Sequence, residues 1–107
     1  MSAATIFNET IPARLQDADQ RSSMMEVDAV FQFNLTGDEE GAWYVDLKAG
    51  VCAAGEHDDA DCTITIDSAD FVDLYNGETQ GAALFMQGKV QIDGNMGLAL
   101  KLDEIMG

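Results

Sequence analysis

The 107 residues carry 20 acidic against five basic side chains, a formal charge of -15, and 47% of them are hydrophobic. Such a charge repels phosphate backbones and anionic lipid surfaces, so nucleic acid is excluded as a natural partner and stable membrane insertion is disfavoured. The length suits a single domain over residues 1–107 with one modest core, and no stretch reaches the ~18 apolar residues of a membrane span.

The first twenty residues have no basic start leading into a long apolar run, so a soluble, cytoplasmic protein is expected. The acidic surface suits a salt-rich environment or acts as a solubility device.

Residues 3–20 place Ile6, Phe7, Ile11 and Leu15 on one side of a helix. Pro12 interrupts that pattern, predicting either one kinked helix or two short ones with Pro12 in the first turn of the second. Residues 21–25 bridge to a sheet. Val27, Ala29, Phe31, Phe33 and Leu35 then alternate with Asp28, Val30, Gln32 and Asn34, a half-buried strand by its period of two. An acidic turn over residues 37–41 leads to a second strand with Trp43, Val45 and Leu47 inward and Tyr44, Asp46 and Lys48 outward, forming an antiparallel hairpin. Residues 49–55 continue as a short edge strand, and Cys62, Ile64 and Ile66 mark a fourth after the loop over 56–61.

Asp67-Ser68 offers a helix cap, Phe71 and Leu74 form an inward i, i+3 pair, and Gly77 ends that helix. A short helix over residues 79–86 closes at Gly88. Val90 and Ile92 point one way on a fifth strand, Asp93-Gly94 turns, and Asn95 caps a last helix. There Met96 and Leu100 share one side while Leu98, Leu102, Ile105 and Met106 spread over the other, so more than one face is apolar. These elements predict an α+β fold: a five-stranded, mostly antiparallel sheet with helices layered on one face.

Groups that carry reaction chemistry are few. His57, the single histidine, sits among carboxylates in Gly-Glu-His-Asp-Asp-Ala-Asp, where a cation site or a base is conceivable. No second histidine, no cysteine at ligand spacing and no calcium-loop pattern accompanies it, which favours a solvated acidic loop. Ser22, Ser23 and Ser68 lack a glycine elbow. The glycines around Asn95 match no phosphate-binding fingerprint. Cys52 and Cys62 read as reduced thiols used as small apolar residues. No catalytic residue, metal or cofactor is assigned, and an enzyme is not expected.

What remains is an excess of bulky apolar side chains, among them Met24, Met25, Phe33, Trp43, Phe71, Leu74, Phe85, Met86, Met96 and Leu100. Methionine adapts to variable shapes, so such walls suit a pocket for flexible ligands, although periodicity alone does not separate a hollow core from a filled one.

Three stretches carry a resemblance: Gly41 to Lys48, Ala60 to Phe71, and the run G-K-V-Q-I-D-G-N-M-G-L-A-L-K-L from Gly88 to Leu102. Together they resemble the sterol carrier protein type 2 family over about residues 27–102, as a stand-alone single-domain member. The resemblance implies an apolar tunnel between sheet and helices, lined by Trp43, the helix around Phe71 and Leu74, Phe85 and Met86, and the last helix. Met25, Phe33, Met96 and Leu100 complete the candidate wall, and Gln87 is the candidate contact for the ligand's polar end.

The expected function is non-enzymatic binding and carriage of one apolar lipid, such as a fatty acid, fatty alcohol or sterol-like molecule. Arg14, Arg21, Lys48, Lys89 and Lys101 are too few to meet a coenzyme A ester, so a neutral or singly charged lipid is preferred. The alternative is an interaction or accessory module that dimerises, or docks on a lipid- or quinone-metabolising enzyme, through its apolar C-terminal helix.

Overall fold

In the computed structural model, residues 2–99 are described. The Ser2 hydroxyl caps α1 (Ala3–Thr5), and the chain runs on through a π-helical turn (Ile6–Thr10) into α2 (Ile11–Gln16). Pro12 lies in the first turn of α2. Proline lacks the amide for an α-helical bond and its ring crowds the carbonyl four residues back, so a widened turn directly ahead of it relieves the clash. The Ile11 amide accordingly reaches back to the Ile6 carbonyl.

The break in the helical run comes later, at Asp17, whose backbone is extended with ψ 122°. Its Oδ1 accepts from the amides of Asp19 and Gln20 at 3.1 and 3.2 Å, opening α3 (Ala18–Met25). Residues 21–25, expected as a bridge, are therefore helical, because a local aspartate cap satisfies the new helix's first amides. Within α3 it is Met24 that is fully buried, whereas Met25 is half-buried.

Five strands follow: β1 (Val30–Thr36), β2 (Gly41–Asp46), β3 (Val51–Ala54), β4 (Cys62–Asp67) and β5 (Val90–Gly94). Their spatial order is β3-β2-β1-β4-β5, with β1 and β4 parallel and every other pair antiparallel. The first strand starts three residues later than its alternation suggests. Asp28 takes a left-handed φ of 50°, and the amides of Val27 and Asp28 bond back to the carbonyls of Met24 and Met25. A turn there leaves no extended backbone to pair.

The register aligns apolar side chains across the sheet. One row reads Ala54, Trp43, Phe33, Ile64, Ile92, and the next Cys52, Val45, Phe31, Cys62. Because side chains alternate along each strand, all of these stand on one face. That face carries the helices. Ile6, Phe7, Ile11, Leu15 and Met24 pack there with Phe71 of α4 (Ser68–Tyr75) and Leu84 of α5 (Gly81–Met86) in a single core. Asp67 caps α4 by accepting from the Ala69 amide at 2.9 Å, and α5 gives way to β5 through Gly88 at φ 73°. A four-residue helix, α6 (Met96–Ala99), follows β5.

The opposite face is covered by the chain itself over part of β1, while Gln91 and Asp93 of β5 stay exposed on it. Val30 and Gln32, expected to face solvent, are buried there at 3% and 4% exposure. Gln32 Nε2 donates to the carbonyls of Gly55 and Trp43 at 3.1 and 3.2 Å, and its Oε1 accepts from the His57 amide at 2.8 Å. The loop after β3 is thereby folded over the sheet.

Candidate functional site

On the helix-covered face, the sheet packs against α4 and the N-terminal helical run in one apolar layer. Four rings meet in it. Phe7 stacks against Trp43 at 5.3 Å and 5°, and against Phe71 at 4.8 Å and 12°. Phe33 touches Phe7 at 5.3 Å and meets Phe71 nearly edge-on at 5.6 Å and 64°. Offset stacks and edge contacts are the arrangements that ring quadrupoles favour, each adding about 0.5–1.5 kcal/mol beyond burial. Phe7, Phe33 and Phe71 are fully buried, while Trp43 is half-buried.

Each ring is positioned by a different element. Phe33 stands in the central strand and is laddered to Trp43 on one side and Ile64 on the other. Phe71 projects from α4, while Phe7 comes from the π-helical turn. Trp43 also lines a surface depression of ≈ 450 Å³, together with Ala4, residues 39–42 including Glu39 and Glu40, and Ala54. Glu39 also holds the start of α1, accepting from the amides of Ala3 and Ala4 at 3.1 and 3.4 Å.

Of the residues singled out in the sequence, Phe33, Trp43 and Phe71 come together, and Leu74 packs half-buried against the same core. Met25 is not among that core. Phe85 and Met86 are turned outward, at 47% and 86% exposure. In a helix as short as α5 only one position per turn faces the sheet; Leu84 takes it, and the next two residues are rotated roughly 100° and 200° away. Gln87 and Lys89 are likewise exposed. For Met96 only the backbone is described, and Leu100, Lys101, Leu102, Ile105 and Met106 lie outside the described residues. The residue missing from the candidate wall is Phe7. Its inward side was readable from the Ile6, Phe7, Ile11, Leu15 stripe, but the ring's three partners come from elements distant in sequence.

The reactive groups are occupied elsewhere. His57 Nδ1 accepts from the Asp59 amide at 3.0 Å and Nε2 lies 3.3 Å from Asp46 Oδ2, so its proton sits on Nε2 facing the carboxylate. Burial pushes the Asp46 carboxyl up, yet the amides of Ala49 and Lys48 together with His57 outweigh it and hold it below the ordinary 3.8. The loop carrying His57 is thus pinned to the sheet at that residue, while Glu56, Asp58 and Asp59 are exposed as the solvated-loop reading expects. Among the described residues no group of three or more acids, histidines or cysteines is placed to hold a metal. Cys52 Sγ donates to the Phe7 carbonyl at 3.3 Å, and burial pushes its thiol up to about 12. Cys62 is shifted upward by burial and by Asp61 beside it. Neither is a thiolate at neutral pH.

The sequence model of the SCP-2 sterol transfer family matches residues 7–107. The chain belongs to that family. Sterol carrier protein 2 of Yarrowia lipolytica in its apo form superposes with a TM-score of 0.80 at 28% identity, over 97% of this chain and 88% of that one. Palmitated SCP2L2 of Aedes aegypti gives 0.77 at 29% identity, over 99% of this chain and 95% of that one. Among curated sequences, hydroxysteroid dehydrogenase-like protein 2 of Xenopus tropicalis is 36% identical over 104 residues, 94% of this chain but 25% of the relative. The chain therefore spans about a quarter of the length of the curated relatives it matches. No described helix is long and apolar enough to cross a membrane.

Proposed function

We propose that this SCP-2 family chain binds one apolar lipid between its sheet and α4 and carries it without catalysing a reaction. The observation that carries the reading is the cluster of Phe7, Phe33, Trp43 and Phe71, which fills an apolar layer on the helix-covered face of the sheet and borders a surface depression at Trp43. Family membership and the palmitated relative support it. Affinity comes from burying the chain at ~0.8 kcal/mol per methylene, which ranks ligands by length and shape rather than by headgroup.

Charge selects among headgroups. With -15 overall and Glu39 and Glu40 at the opening, a fatty alcohol or other neutral lipid binds more tightly than a coenzyme A ester of the same chain. Native mass spectrometry of the purified protein, before and after solvent extraction and then after incubation with fatty acids, alcohols and sterols, tests the reading. A discrete added mass of a few hundred daltons that extraction removes is expected. A bare mass under every condition refutes carriage.

The outward pair Phe85 and Met86 favours a second reading, that the chain docks on a partner enzyme through the end of α5. Relatives some four times longer and named dehydrogenase-like fit that arrangement. Light scattering and co-purification from the native source test it, with Phe85→Ser and Met86→Ser expected to abolish the association and leave lipid binding intact.

A further inference from the structure

The cluster contains one ring that is held differently from the others. Phe33 lies in a strand laddered on both sides and Phe71 on a capped helix, so the backbone under each is fixed by the sheet or by α4. Phe7 instead rides on the π-helical turn of a helical run that is jointed at the extended Asp17. π-helical turns interrupt the regular ladder and recur at functional sites, and element-terminal residues are where hinges absorb rotation. Beyond packing, the part of the run that carries Phe7 is tied by the Glu39 carboxylate on two amides and by the weak Cys52 thiol bond, while its far end is held to α3 by Arg21 on the Leu15 carbonyl and Arg14 on Gln20.

Phe7 also occupies the middle of the cluster, in contact with Trp43, Phe33 and Phe71 at once. Trp43 also lines the depression, so an acyl chain arriving there meets the cluster at Trp43. We infer that the Phe7 ring is a displaceable plug: in the empty protein it fills the inner part of the lipid site, and the ligand's chain takes its place between Trp43 and Phe71. The inference rests on the lipid-carrier reading and adds to it the residue that sets which chains bind. Exposing a phenyl ring offsets what burying about two to four methylenes returns. Short chains therefore fail to open the site, and longer ones open it and still gain about fourfold in affinity per further methylene.

A plug and a wall respond to truncation with opposite sign. For fatty alcohols of 8 to 18 carbons, Phe7→Ala is expected to bind each chain about 10- to 100-fold more tightly than the wild type and to admit shorter ones. Weaker or unchanged binding overturns the inference, because a wall residue loses contacts on truncation. Should Phe7→Ala fold poorly, Phe7→Leu and the labelled wild type decide. In wild-type protein, nuclear Overhauser contacts between the Phe7 ring and the indole of Trp43, the one tryptophan of the chain, are expected in the empty state and lost with saturating hexadecanol. Contacts that persist while hexadecanol is bound overturn the plug and leave the carrier reading standing. No binding of any alcohol, acid or sterol overturns both.

Discussion

Replacing Gln32 with leucine tests whether the second face of the sheet is covered over β1 as described. The change keeps volume nearly constant and removes only the carboxamide, which joins the carbonyls of Gly55 and Trp43 to the amide of His57. Those groups are then left in a site that is 4% exposed, with no replacement partner unless the loop lifts away. A buried polar group stripped of its partner costs about 1–3 kcal/mol, and partial rescue by water at the loop edge brings the total for this site to ~2–4 kcal/mol. With a urea slope of about 1–3 kcal/mol/M for a domain of this size, the midpoint falls by roughly 1–3 M. Hydrogen exchange at residues 55–61 accelerates in step, since the loop loses its anchor before the sheet unfolds. A stability change under about 0.5 kcal/mol, or unaltered exchange in the loop, refutes the reasoning and makes Gln32 an ordinary surface residue.

Other outcomes follow from the same contacts. Asp46 holds its proton less readily in the fold than in the unfolded chain, so its carboxylate stabilises the protein above pH ~4, and that stabilisation is lost as pH falls below 3.8. Asp46→Asn flattens this part of an acid-unfolding curve followed by circular dichroism, whereas an unchanged curve refutes the assignment. Cys52, its thiol pushed up to about 12 by burial, reacts with a disulfide reagent at pH 8 more slowly than a free thiol, by at least about tenfold, and normally after denaturation. Gly94 has φ 98°, and a Cβ there would stand 2.5 Å from the Asp61 carbonyl oxygen, so Gly94→Ala lowers the thermal midpoint by about 4–8 °C or more.

The sheet was legible because period two is a property of the strand itself: Phe31, Phe33 and Leu35, then Val45 and Leu47, then Ile64 and Ile66, all lie on the helix-covered face as their alternation implies. Gln32 was not legible, since its burial comes from a loop 25 residues away whose polar composition reads as solvated. The helix after Asp17 was missed because its weak apolar pattern contributes only Met24 to the core, and the aspartate that starts it speaks through side-chain geometry. Of the candidate wall, Phe33, Trp43 and Phe71 meet in one cluster, whereas Phe85 and Met86 at the end of α5 face outward and Leu84 takes the buried position of that turn. Phe7 shows the limit most plainly. Its inward direction is written in the helix, and its position among three other rings is written nowhere local.

The parallel pairing of β1 with β4 also has a consequence for how the chain is made. Phe33 pairs with Trp43 about ten residues on, but its other neighbour, Ile64, emerges roughly thirty residues after it. At a synthesis rate of about 5–20 residues per second, the middle strand spends on the order of two to six seconds with one edge and its phenylalanines unpartnered. A ribosome therefore presents an unfinished hairpin with an open edge before the aromatic cluster can assemble. The charge of -15 is at work from that moment, holding nascent copies apart while the sheet waits for its centre to close.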